Sequence, residues 1–245
     1  MNKILNVLAI VTCIYIATTT GQYALANDNQ DNDAPIVVEL FTSQGCPSCP
    51  PADKILQKLT KKDNIIALAC HVSYWDKPQW KDRFAQEFCD IRQHGYISMD
   101  DQKRVYTPQM VINGKDKFIG SRADNVKYTL KKASESPLKI IEVETPEPDV
   151  IRIALPILPD DNYHLWAFGY KKTQKQNIGN GENSGKTIYY ANPVISYTNL
   201  GAWRGAGMVY NFRKPKEPID GIAILAQRLA YGEIVAAGKM SFSKN

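Results

Sequence analysis

Several features that would settle a function quickly are missing from this sequence. Beyond its first residues, no apolar run is long enough to span a bilayer. Its 30 basic and 25 acidic residues are scattered, not gathered into a stripe or patch. That argues against a nucleic-acid partner and against a membrane surface. The cysteines do not form two close pairs, the usual pattern of structural zinc. The glycine-rich stretch "GNGENSGKT" (179–187) is not a phosphate loop. That loop needs four residues before its Gly-Lys-Thr, whereas Gly181 leaves three and Gly179 leaves five. The segment after it also reads as strand, where a phosphate loop needs a helix. Nothing in the chain calls for a bound metal or cofactor.

The N-terminus has the form of a secretory signal. Lys3 precedes the apolar stretch 4–17, and "ALA" (24–26) fits a cleavage site, placed after Ala26. Loss of Lys3 lowers the formal charge from +5 to +4. Cys13 leaves with the signal. Residues 27–34 are polar and read as a disordered leader. The mature chain keeps Cys46, Cys49, Cys70 and Cys89, an even number that favours disulfides in a periplasmic or secreted protein.

The patterning changes near 134–149. The expected division is therefore a first domain over 35–135 and a β-rich domain over 136–245. In the first, "PIVVELFTS" (35–43) reads as a strand and "ADKILQKLTKK" (52–62) as a helix with Ile55, Leu56 and Leu59 on one stripe. "GCPSCPP" (45–51) is the joint between them. Pro50 and Pro51 suit a first helical turn, whose N–H groups have no partner inside the helix. The positive end of the helix lowers a nearby thiol's pKa, and the thiolate is the attacking form. Cys46 is thus the expected nucleophile and the more exposed of the two, with Cys49 resolving.

"NIIALACHV" (64–72) reads as a central strand covered on both faces. "QWKDRFAQEFCDIRQ" (79–93) reads as a helix with Trp80, Phe84, Phe88 and Ile91 in the core. A hairpin over 106–121 and a helix over 123–134 complete the order β-α-β-α-β-β-α. Cys70 and Cys89 lie on elements that pack together, so a structural disulfide between them is expected; separate buried thiols are the alternative. His71, at a buried strand end, reads as a satisfied core residue. Trp75 and Asp76, just past the same strand, are candidates for lining the redox site. After residue 136, short alternating segments predict strands and no helix.

The element order resembles a glutaredoxin-like form of the thioredoxin fold. "TPQMVINGKDKFIG" is similar to the segment in which that superfamily carries a cis proline opposite its cysteine pair. The resemblance implies a cis Thr107–Pro108 bond, with Thr107 presenting backbone to substrate. Glu39 lies one position farther from Cys46 than the superfamily's buried acid; it is either a proton relay to Cys49 or an ordinary strand glutamate. More closely, "VVELFTSQGCPSCPPAD", "HVSYWDKPQWKDRFA", "RQHGY", "YTPQMVING", "GENSGKTIYYANPV", "LGAWRG" and "DGIAILAQ" resemble the DUF1223 family of secreted bacterial proteins. That resemblance implies a thioredoxin-like α/β domain followed by a mostly antiparallel, sandwich-like β domain, and no assigned reaction. Cys70 and Cys89 depart from the family pattern.

Two functions stay open. One is a thiol–disulfide oxidoreductase acting on protein or small thiol substrates with a redox partner protein. The other is a secreted binding or assembly module with a permanent Cys46–Cys49 bond.

Overall fold

The computed structural model describes residues 34–99 and 104–242. The signal peptide and residues 27–33 of the leader lie outside the described residues.

The first strand, β1 (Ile36–Thr42), is wholly buried and runs parallel to β2 (Ile65–His71). Between them lies α1 (Pro50–Leu59), with Cys49 as its N-cap and prolines at its first two positions. Helix α2 (Glu87–Ser98) is followed by the hairpin β3 (Gln109–Ile112) and β4 (Asp116–Ile119), then α3 (Ala123–Ser134). The sheet order is β2-β1-β3-β4. Alternation along β1 sends Val38 and Leu40 toward Ala52 and Leu56 of α1, and Val37, Glu39 and Phe41 to the opposite face.

Ten further strands follow. They are β5 (Lys139–Ile140), β6 (Glu142–Glu147), β7 (Val150–Leu155), β8 (Tyr163–Tyr170), β9 (Gln174–Asn177), β10 (Thr187–Tyr190), β11 (Val194–Trp203), β12 (Met208–Arg213), β13 (Gly221–Arg228) and β14 (Ile234–Ser241). They form a five-stranded sheet β11-β8-β13-β14-β5, a three-stranded sheet β12-β7-β6 and the hairpin β9–β10. Ile151 and Ile153 of the smaller sheet meet Leu165, Ile222 and Ile224 of the larger one in a common core.

These observations correct the expected fold class. Fourteen strands and three helices among the described residues make the chain mostly β, not a thioredoxin-like α/β fold. The physical reason is the covering of the first sheet. An α/β sheet is covered by helices on both faces. Here Val37, Ile66 and Leu68 pack instead against Trp166, Phe168, Ala223 and Leu225 of the five-stranded sheet.

Two local expectations also change. The run 64–72 is an edge strand, not a central one. Its free edge is covered by the chain at 192–193: Ala69 N–H donates to Asn192 O (3.1 Å), and Asn192 Nδ2 donates to Ala67 O (2.9 Å). That covering buries β2 as thoroughly as a central position would. The helix expected over 79–93 begins only at Glu87, because Asp82 holds the preceding segment in a turn. Ile91 is consequently exposed, and Cys89, Arg92, Gln93 and Tyr96 form the buried face.

Candidate active site

The turn after β1 carries Ser43 to Cys49 into the start of α1. Cys46 N–H donates to Ser43 O and Cys49 N–H to Cys46 O, so the cysteine segment is a tight double turn. Cys46 and Cys49 form a disulfide, and a second joins Cys70 to Cys89. No helix among the described residues is long and apolar enough to cross a membrane. Two disulfides fit a secreted protein, because thiols stay reduced in the cytosol. Among the described residues no cluster of histidine, cysteine and carboxylate side chains could hold a metal ion.

The exposure of Cys46 differs from expectation. Both Cys46 and Cys49 are 0 % exposed, while Pro47 and Ser48 between them face solvent. The cover comes from the loop joining β9 to β10, the glycine-rich stretch of the sequence. Asn183, itself fully buried, donates from Nδ2 to Gln44 O (3.0 Å) and Cys46 O (2.7 Å). Lys186 Nζ donates to Asn183 Oδ1 (2.8 Å) and orients the amide. Gly181 and Gly185 have φ of 80° and 79°, a left-handed backbone that glycine adopts without steric cost.

The other expected site residues surround the same turn. The Thr107–Pro108 peptide is cis. Ser48 Oγ lies 3.5 Å from Cys46 Sγ and donates to Thr107 O (3.4 Å). Trp75 Nε1 donates to Thr107 Oγ1 (2.8 Å). Asp76 accepts from Asp82 N–H (2.9 Å) and does not touch the sulfurs; partial burial raises its carboxyl above the usual range. Two hollows flank the pair. One, of about 270 Å³, is walled by Gly45, Trp75, Trp80 and Gly181. The other is an open groove of about 660 Å³ along Ser48, Thr107, Pro108, Ile119 and Arg122.

Glu39 is not brought to Cys49. It lies on the face of β1 away from α1, where Arg92 donates from Nε to Oε1 (2.5 Å) and from Nη2 to Oε2 (3.0 Å). Tyr96 also donates to it, and all three side chains are buried. Glu39 therefore anchors α2, since a buried carboxylate needs this pairing.

A buried acid that the sequence analysis does not single out is Asp53, four residues after Cys49 on α1. Its Oδ1 accepts from Thr42 Oγ1 (2.9 Å) and it is 2 % exposed. Burial pushes its carboxyl up to about 7, against the opposing pull of His71 and the Thr42 hydroxyl. The available signal was its place on the apolar stripe of α1, three residues before Leu56. His71 Nδ1 lies 2.7 Å from Asp82 Oδ2. Asp82 also accepts from Gln44 N–H (2.7 Å) and Phe84 N–H (2.9 Å). Burial would raise Asp82, but His71 and these N–H donors outweigh it and hold the carboxyl below its ordinary range.

A family model described as a protein of unknown function (DUF1223) matches residues 37–227. A crystal structure of a protein from Agrobacterium tumefaciens, 27 % identical, aligns with a TM-score of 0.74 over 86 % of this chain and 95 % of that one. HBP35 of Porphyromonas gingivalis, 14 % identical, shares the fold at a TM-score of 0.58 over 86 % of this chain and 76 % of its own. No curated protein matches the chain.

Proposed function

The chain belongs to the DUF1223 family, whose description assigns no function, and we propose that it exchanges disulfides with protein or small thiol substrates outside the cytoplasm. The observation that carries this reading is the position of the Cys46–Cys49 bond. It closes at the N-terminus of α1, between two hollows, with Ser48 and Thr107 at its rim.

In the oxidised form a substrate thiolate attacks Cys46 Sγ. The Cys46–Cys49 bond breaks and its electron pair leaves on Cys49 Sγ, at the positive end of α1. A second substrate thiolate then attacks the mixed disulfide, releasing oxidised substrate and the Cys46 thiolate. Two substrate thiols are oxidised and one protein disulfide is reduced; the reverse sequence oxidises the protein and reduces a substrate disulfide. Trp75 fixes the Thr107 side chain, leaving the Thr107 carbonyl at the groove. Because Cys46 is fully buried and its carbonyl is held by Asn183, attack at its sulfur requires this segment to open, and the loop between β9 and β10 is the element placed to release it.

That same seal favours a second reading, a binding or assembly module in which the bond is permanent. One experiment separates the two. The Cys46–Cys49 couple is equilibrated with glutathione buffers, and partners are trapped with Cys49→Ala. Exchange predicts a potential within roughly −120 to −270 mV and mixed disulfides at Cys46. A bond that resists the buffers and traps nothing selects the module.

A further inference from the structure

Three buried polar atoms next to the cysteine helix have no hydrogen-bond partner in the protein: Asp53 Oδ2, His71 Nε2 and Tyr190 Oη. Buried polar groups are nearly always paired, so three together ask for an explanation. They come from three elements that pack on one another: α1, β2 and β10. The His71 and Tyr190 rings lie 4.6 Å apart. Burial raises the Tyr190 hydroxyl, and the Asp53 and Asp82 carboxyls raise it further.

Asp53 stands four residues after Cys49 on the same helix, and both side chains are buried. Residues at that spacing share a face with Cβ atoms about 5–6 Å apart, and helical side chains lean toward the N-terminus. The carboxyl of Asp53 therefore leans toward the turn that holds Cys49. Its Oδ1 is taken by Thr42 and its Oδ2 is free.

Behind it, the Asp82 carboxylate accepts at His71 Nδ1, which leaves Nε2 as the ring nitrogen without a partner. The groups facing Asp53 are Thr42 from β1, His71 from β2, Asp82 from the turn before α2 and Tyr190 from β10.

Resting on the exchange reaction argued above, we propose that Asp53 transfers the proton of Cys49. As the disulfide opens, the electron pair arrives on Cys49 Sγ and the protonated Asp53 carboxyl gives up its proton to it. The products are a Cys49 thiol and an Asp53 carboxylate, held by the Thr42 hydroxyl. As the disulfide closes, the carboxylate takes the proton back, and the Cys49 thiolate attacks Cys46 Sγ in the mixed disulfide and expels substrate thiolate. Thr42 holds this acid in place, burial sets its charge, and His71 and Asp82 act on that charge from nearby in opposite directions. A carboxyl that titrates near neutrality holds both forms in quantity, as a proton donor and acceptor must.

The test uses the full oxidised chain and dithiothreitol from pH 5 to 9. Opening of Cys46–Cys49 is followed by alkylation and peptide mass, and rates are corrected for the thiolate fraction of the reductant. The wild-type rate is expected to fall about tenfold as pH rises through neutrality, and Asp53→Asn to stay at the lower level throughout. If the wild type exchanges and Asp53→Asn reproduces its profile, this assignment is overturned while the exchange reaction stands. A wild type that does not exchange under native conditions overturns both. Should Asp53→Asn not fold, Cys46→Ser decides: alkylation of Cys49 against pH must show two inflections, because a carboxylate and a thiolate so placed repel. A single inflection overturns the assignment.

Discussion

The two disulfides have the same span, with Cα atoms 5.4 Å apart in each, and opposite surroundings. Cys70–Cys89 ties the end of β2 to α2 inside an apolar cluster of Phe41, Val72, Tyr96 and Val111. Its neighbours in that cluster are large apolar and aromatic side chains. Cys46–Cys49 lies buried at a helix start between two hollows, with Asp53 four residues after Cys49 on that helix and Asp82 bound to the N–H of Gln44, two residues before Cys46. One bond closes a separation of 19 residues and the other a separation of 3. The comparison teaches that the bond itself says little. Its use follows from what the surrounding side chains let it do: a sulfur in hydrocarbon can only hold, and one beside a titratable group can also react.

The sharpest consequence concerns charge, because the ionisation penalty on Asp53 falls within the working pH range. Asp53 moves from 3.8 to about 7 on folding. Between those values the native state binds more protons than the unfolded one. Stability therefore falls as pH rises across that window and stays low above it. At about 1.36 kcal/mol per unit, the loss is on the order of 4 kcal/mol. Asp53→Asn removes that slope, so it should gain stability relative to wild type between pH 4 and pH 8. Urea unfolding of both oxidised chains at the two pH values measures it; parallel slopes would remove Asp53 from the account.

The apolar side should show its worth as a staple. In the chain-entropy description a loop of about 20 residues contributes about 3 kcal/mol, and a loop of a few residues less. Cys70→Ser/Cys89→Ser should thus lower stability by about that amount, and Cys46→Ser/Cys49→Ser by less. The discriminating measurement is the melting temperature of Cys46→Ser/Cys49→Ser with and without reductant. No change on reduction would mean that Cys70–Cys89 holds nothing.

Legibility in the sequence followed the range of the signal. The strand before Cys46, the helix after Cys49 and the prolines at its first turn are local, and each could be read from a few residues. The hairpin over 106–121 is marked by its own turn. What covers β2 is not local: Asn192 stands 125 residues from Ala67. An edge strand sealed by a distant loop has the same apolar composition as a central one. The fold class is illegible for a parallel reason: composition shows that the face carrying Val37, Ile66 and Leu68 is buried, but not whether helices or strands bury it. Asp53 was hidden differently. Its spacing put it on the buried stripe of α1, but one carboxylate among lysines reads as an ordinary helix surface residue until Thr42 and His71 are in place.

The smallest effect tests whether the loop over the cysteine turn sets the two bonds apart kinetically. Asn183 stands 137 residues from Cys46, and its amide makes two hydrogen bonds to the cysteine turn. Each is worth about 1 kcal/mol net. Asn183→Ala should therefore cost 1–2 kcal/mol, at about the scale of one or two such bonds, and most of that loss falls on the closed state of the loop. If exchange at Cys46 passes through an open loop, the population of that state rises by the same free energy, or roughly 5- to 30-fold. The rate of Cys46–Cys49 reduction should rise by that factor, while Cys70–Cys89 remains as slow as before. Stopped reduction followed by alkylation reads both bonds in one sample. An unchanged Cys46–Cys49 rate in a folded Asn183→Ala chain would mean that the loop does not gate the sulfur, and that the burial of Cys46 is set by the turn itself.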